Sequence, residues 1–202
     1  MIRGDSGEYD LLAKWIKEIN LGKTNEKGKS IENEPLRILS CEIGVREGMG
    51  SKVIMDAFRD RLQGTSLKYK HTGIDPYANL KYQHYDSGFA YTADYTDEMR
   101  DQMIKDFKDY PEYQYYHGTD IKYMHECYWR EPYHFVHFDG PHMTKDVLVE
   151  AIFFAQRSKV GTRFVFDDHT KYEMSQIAFA LTHFGFKTIE MGDYKICLEK
   201  FE

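Results

Sequence analysis

The chain has 202 residues, 42% hydrophobic and 30% charged, the make-up of one globular domain with a full core. A net charge of −6 argues against a general nucleic-acid-binding surface, and three cysteines without paired spacing (Cys41, Cys127, Cys197) argue against a zinc site or a disulfide framework. No cationic-then-apolar leader and no apolar run of membrane-spanning length is present, which makes a reducing, cytoplasmic setting the expectation.

In chain order, the spacing of Leu12, Trp15, Ile16 and Ile19 predicts a helix over residues 9–19 with one apolar face. The stretch 22–34 is rich in Gly, Lys, Asn and Glu and reads as a mobile loop. Residues 1–34 therefore form either a packing appendage or a lid over a pocket. An apolar run at 36–41 gives a first strand, and a helical run begins at Lys52. Between them lies Glu42-Ile43-Gly44-Val45-Arg46-Glu47-Gly48-Met49-Gly50, an E-x-G-x-x-x-G-x-G turn. Strand, glycine turn and helix is the arrangement that lets a backbone approach a nucleotide-like ligand closely. The spacing departs from G-x-G-x-x-G, so a dinucleotide fingerprint fits poorly.

Residues 69–75 read as a second strand ending in Asp75. The stretch 76–95 is irregular, and its Tyr77, Tyr82, Tyr85, Phe89 and Tyr91 are either core or a ligand wall. Thr96-Asp97-Glu98 opens a helix to about Asp109. A third strand at 112–117 leads into Gly118-Thr119-Asp120 and a short helix. The fourth strand spans 133–139, and Thr144 to Arg157 is a helix that Gly161 stops. A fifth strand covers 162–167, after which Thr170 and Glu173 match a capping box for a helix to about Phe184. Gly192-Asp193 then turns between strands at 187–190 and 195–199. This alternation predicts an α/β fold, a doubly wound, Rossmann-like, mostly parallel seven-stranded sheet with an antiparallel last strand.

Ligands of such sheets bind beyond the carboxyl ends of the strands, where Glu42, Asp75, Asp139 and Asp167 all fall. Glu42 suits the ammonium of a bound amino acid group, and Asp75 suits two ribose hydroxyls. Asp139 in Asp139-Gly140-Pro141-His142 and the pair Asp167-Asp168 would meet at neighbouring strand ends. Three converging carboxylates repel unless a cation sits among them, and oxygen-only donors favour Mg²⁺, Mn²⁺ or Ca²⁺ over zinc. His142, three residues after Asp139, suits a general base, with His169 as a second candidate.

"CEIGVREGMGS", "GIDPY", "GTD", "HFDGPH" and "FVFDDH" occur in the order and approximate spacing of class I S-adenosyl-L-methionine (SAM)-dependent methyltransferases. More narrowly, residues 36–200 resemble the metal-dependent sugar O-methyltransferases of macrolide biosynthesis, the TylF and MycE type. The resemblance implies a methyltransferase domain over 35–202, with Glu42, Gly44, Gly48, Gly50, Asp75, Thr119 and Asp120 at the cofactor. It also implies Asp139, Asp167 and Asp168 as ligands of Mg²⁺ or another divalent cation, and His142 as the base that takes a proton from a small-molecule or sugar hydroxyl. The chain is shorter than the macrolide enzymes, and residues 78–94 match no motif of theirs. Two other classes share the architecture: a nicotinamide-dependent oxidoreductase, disfavoured by the glycine spacing, and a non-catalytic cofactor-binding relative, disfavoured by the intact acid–histidine set. A homo-oligomer is compatible with all three.

Overall fold

The computed structural model describes residues 2–4, 7–21, 37–78, 80–86, 91–92, 95–127 and 132–202. The expected loop at 22–34 lies outside the described residues, as do Leu36 and Phe89. The elements are α1 (Tyr9–Lys17), β1 (Arg37–Ile43), α2 (Met49–Leu62), β2 (Lys68–Asp75), β3 (Lys81–Tyr82), β4 (Tyr91–Thr92), α3 (Asp97–Asp106), β5 (Tyr113–His117), α4 (Asp120–Glu126), β6 (Tyr133–Phe138), α5 (Thr144–Ala155), β7 (Ser158–Phe166), α6 (Met174–Thr182), β8 (Phe186–Met191) and β9 (Ile196–Lys200). No helix among the described residues is long and apolar enough to cross a membrane.

Seven strands form one sheet in the order β5-β2-β1-β6-β7-β9-β8, with β3 and β4 as a separate antiparallel pair. The first five strands of that order pair in parallel, and β9 runs antiparallel to both its neighbours. The expected α/β architecture is therefore present, with its antiparallel last strand inserted inside the edge. Central strands are covered on both faces, which is why β6 is buried along its whole length and reads as a continuous run. One face packs against α5 and α6 through Val147, Ala151, Phe154, Ile177 and Leu181. The other packs against α1 and α2 through Leu12, Trp15, Ile16, Ile54 and Phe58. Each of the Val, Leu, Ile and Phe side chains among them contributes about 1.5–3 kcal/mol by leaving water.

The face anticipated for α1 is thus part of the main core, and Trp15 has no exposed surface. Its indole Nε1 donates to Glu190 Oε2 at 2.7 Å, and Arg163 Nη1 donates to the Trp15 carbonyl at 2.6 Å. The helix packs in the core, and Tyr9 at its start lines the cavity.

Two local expectations change. Gly161 does not stop α5, which ends at Ala155; it lies inside β7 at a bulge where the β6 register slips between Tyr133 and Phe135. Its φ of +87° is left-handed, and a Cβ there would lie 2.6 Å from the Asn20 carbonyl oxygen, so the chain leaving α1 needs a glycine at that crossing. Thr170 does not cap α6 either. The helix begins at Met174 with Glu173 as its N-cap and no side-chain cap, and residues 169–173 form turns. The Glu173 N–H instead donates to Thr144 Oγ1 at 2.9 Å, so tertiary pairing with the start of α5 displaces the local box.

Candidate active site

A cavity of about 1070 Å³ opens where β1, β2, β6 and β7 end. Glu42, Gly44, Gly50, Asp75, Thr119 and Asp120, six of the seven residues expected at the cofactor, line it. Gly48 does not; the space beside it is filled by the Phe107 ring. Gly50 makes room for a protein group, since a Cβ there would fall 1.9 Å from Glu42 Oε1. Glu42 is 1% exposed, accepts from Ser51 Oγ at 2.5 Å, and pairs with His137 Nδ1 at 2.8 Å.

Asp75 builds the loop. Its Oδ2 accepts from the Val45 and Arg46 N–H groups at 3.0 and 2.9 Å, and its Oδ1 from Tyr77 at 2.9 Å. Burial raises its pKa despite these three donors. A carboxylate has about four lone-pair positions, so about one remains for a ribose hydroxyl instead of the two expected. Tyr77 is core, packed with Val45, Met55, Met103 and Phe107, and its hydroxyl donates to the Arg46 carbonyl. Thr119 caps α4 by accepting from Lys122 N–H at 3.2 Å. Behind Asp120 stands Glu150, a 1% exposed acid of α5 that the apolar pattern did not reveal. Burial and the charge of the hydrogen-bonded Asp120 push its carboxyl well above the usual range.

The acids of β6 and β7 do converge, and the chain supplies a cation to them. Lys195, with no exposed surface, donates from Nζ to Asp167 Oδ1 and lies 3.4 Å from His137 Nε2. Burial and the adjacent Asp167 push Asp139 well up, against the pull of Lys195. Burial also favours protonation of Asp167, but the Lys195 ammonium outweighs it, with the Asp139 hydrogen bond, and holds Asp167 down at about 2. Lys195 was invisible as a site residue because it sits in the hairpin turn just before β9, far along the chain. It is fixed from outside: Glu8 accepts from the Asp193, Tyr194 and Lys195 N–H groups at 2.8, 3.0 and 2.9 Å. The same N-terminal segment places Arg3, Gly4, Gly7 and Tyr9 on the cavity wall.

Donor atoms of Asp139, His142 and Asp167 lie within 4.8 Å of one another, and so do those of Glu42, His137 and Asp139. Asp168, which adopts φ +46°, falls outside these groups; its Oδ2 lies 3.8 Å from His142 Nδ1. His142 is 4% exposed, and burial together with the neighbouring His84 pushes it down to about 3. His169 turns away, its Nε2 donating to the Gly192 carbonyl at 3.2 Å. Residues 80–86, where no motif was legible, run along the cavity beside His142. Tyr82, His84 and Tyr85 line the cavity, and Asp86 accepts from the Thr144 N–H at 3.0 Å at the positive end of α5.

A family model described as a methyltransferase domain matches residues 41–169, more than half of the chain. No curated protein matches. Among solved structures, an rRNA methylase from Streptococcus thermophilus superposes with a TM-score of 0.55 at 12% identity, covering 100% of this chain and 99% of its own. The N-methyltransferase NodS from Bradyrhizobium japonicum WM9 gives 0.55 at 9% identity, covering 96% and 94%. An O-methyltransferase from Bacillus cereus in complex with SAH gives 0.55 at 11% identity, covering 98% and 83%. Their acceptors differ, so the shared fold does not choose among acceptors. On these matches, the chain belongs to the methyltransferase-domain family and is a SAM-dependent methyltransferase.

Proposed function

We propose that the acceptor is a hydroxyl on a small molecule or sugar, and that a divalent cation such as Mg²⁺ assists its methylation. The observation that carries this reading is the cluster of Asp139, Asp167 and His142, in which the buried His142 Nε2 has no hydrogen-bond partner. The donors fit a hard divalent ion. The carboxyl groups of Asp139 and Asp167 crowd one another beside a single Lys195 ammonium, the raised Asp139 shows the cost of charging both, and carboxylate oxygens are the donors a hard cation takes. Asp139, Asp167 and Asp168 would hold the ion, which when bound would lower the pKa of an acceptor hydroxyl.

The glycine loop and Glu42 orient the methionine end of SAM, and Asp75 and Asp120 the nucleoside end. The acceptor oxygen attacks the methyl carbon in line. Its O–C bond forms as the C–S bond breaks, the sulfonium becomes a neutral thioether, and the hydroxyl proton passes to His142 Nε2. His142, held near 3, is a weak base, so the acceptor hydroxyl must itself be acidified for the transfer to run. Calorimetric titration with S-adenosylhomocysteine (SAH) should give one site per chain, and catechol as a probe vicinal diol should be methylated. EDTA should lower that turnover at least about tenfold, with recovery on adding Mg²⁺. Full turnover in EDTA would remove the cation from the mechanism, and no SAH binding would remove the cofactor assignment.

A further inference from the structure

We infer that His84 is a positioning residue: it accepts the His142 Nδ1–H and so fixes the tautomer that leaves His142 Nε2 with a free lone pair on the reacting side. This rests on reading His142 as the proton acceptor. The two rings meet at Nδ1 to Nε2, 3.2 Å apart, with centroids 4.8 Å apart and planes at 65°. Asp168 Oδ2, the other acceptor near Nδ1, is at 3.8 Å, outside hydrogen-bond range.

The His142 ring is held on several sides. A parallel β-bridge joins Tyr85 to His142, and the Tyr172 ring lies parallel to the imidazole at 4° and 5.7 Å. Asp86, two residues after His84, is anchored on the Thr144 N–H and hydroxyl. Residues 84–86 are therefore tied to the His142 loop at two points, through the Tyr85 bridge and through Asp86.

Between neutral imidazoles one nitrogen must donate and the other accept. If His84 donates, His142 carries its proton on Nε2; if His142 donates, His84 carries its own on Nδ1. Both outer nitrogens are buried, so that cost is common to the two arrangements, and the proton-accepting role of His142 decides between them. If His142 donates, Nε2 presents only a lone pair, the form needed to take a proton. An unrestrained histidine prefers the proton on Nε2, so the His84 contact enforces the less common tautomer, as a partner on the second ring nitrogen commonly does.

The test is nitrogen NMR of protein labelled with ¹⁵N-histidine, kept in EDTA so that no cation occupies the ring, and read with and without saturating SAH. His142→Gln identifies the His142 signals by their loss. The expected wild-type state is a protonated Nδ1 and an unprotonated Nε2. In His84→Phe, which keeps a ring but offers no acceptor, the proton should shift to Nε2. In His84→Gln, whose amide oxygen can accept, it should return to Nδ1. A wild-type proton on Nε2, or a His84→Phe spectrum unchanged from wild type, would overturn the proposal. The tautomer is read without turnover, so its failure is separable from failure of the methyltransfer reading, which SAH binding and loss of catechol methylation in His142→Gln report.

Discussion

Lys195→Met is expected to destabilise the protein by about 3–5 kcal/mol at neutral pH, the usual cost of removing one partner of a buried ion pair. Lys195 has no exposed side-chain surface, and Asp167 retains 7%. Without the ammonium, Asp139 and Asp167 face each other and the Lys195 ion pair is gone. The pH dependence follows in sign. In the wild type Asp167 is depressed to about 2, so its contribution is present above its ordinary pKa and is lost as pH falls from about 4 towards 2. In the variant its folded pKa should rise above the ordinary value, so the deficit should be largest at neutral pH and shrink as pH falls towards 4. Urea unfolding of both proteins across that range measures it. Asp167→Asn combined with Lys195→Met should recover part of the loss, because neither charge is then left buried alone. Added Mg²⁺ should stabilise Lys195→Met more than the wild type, since ammonium and cation balance the same carboxylates. A loss below about 1 kcal/mol at pH 7 would mean that the pair is not an electrostatic anchor.

The parts of this site that were legible in the sequence are those set by local pattern. β1, the glycine turn and α2 follow one another within the span 37–62, and the acids at the ends of β1, β2, β6 and β7 sit where strand periodicity puts them. Thr96 caps α3 as its type predicts, accepting from the Met99 N–H at 3.2 Å. What stayed hidden is long-range. Lys195 reaches Asp167 only because β9 inserts between β7 and β8. His84 meets His142 across 58 residues, and Glu8 reaches the β8–β9 turn across 185 or more. The Thr170 box failed for the same reason: the Glu173 N–H found Thr144 before Thr170. Even the glycine loop was legible only in part. Its spacing pointed to a ligand, yet Gly48 and Gly50 serve Phe107 and Glu42, and the Asp75 carboxylate spends three acceptor positions on backbone.

Gly44 is the residue of that loop whose replacement should weaken cofactor binding most. Its φ is +82°, and a Cβ there would lie 2.1 Å from the Asp139 carbonyl oxygen and 2.9 Å from the Gly140 nitrogen. These are backbone atoms, so no side-chain rotation relieves the overlap. The strand ends are tied at this level: Gly44 N–H donates to the Ile74 carbonyl, and Asp139 N–H to the Ile43 carbonyl, both at 2.9 Å. Gly44→Ala must therefore part the β1 end from the β6 end. That displaces the Val45 and Arg46 N–H groups from Asp75 and carries Asp139 away from Asp167. The expected result is SAH binding weaker by roughly 100-fold, equivalent to about 2.7 kcal/mol, with stability lower by about 2–4 kcal/mol from backbone strain and overpacking together. Gly64→Ala is the matching control, because Gly64 has φ +78° but nothing within 4 Å of its Cβ position. It should lose only about 1 kcal/mol of stability and bind SAH as the wild type does. Left-handed backbone is common to both sites, so any difference in SAH affinity between the two variants measures the crossing of Gly44 over Asp139. Equal affinities would mean that the cofactor cleft tolerates separation of the β1 and β6 ends.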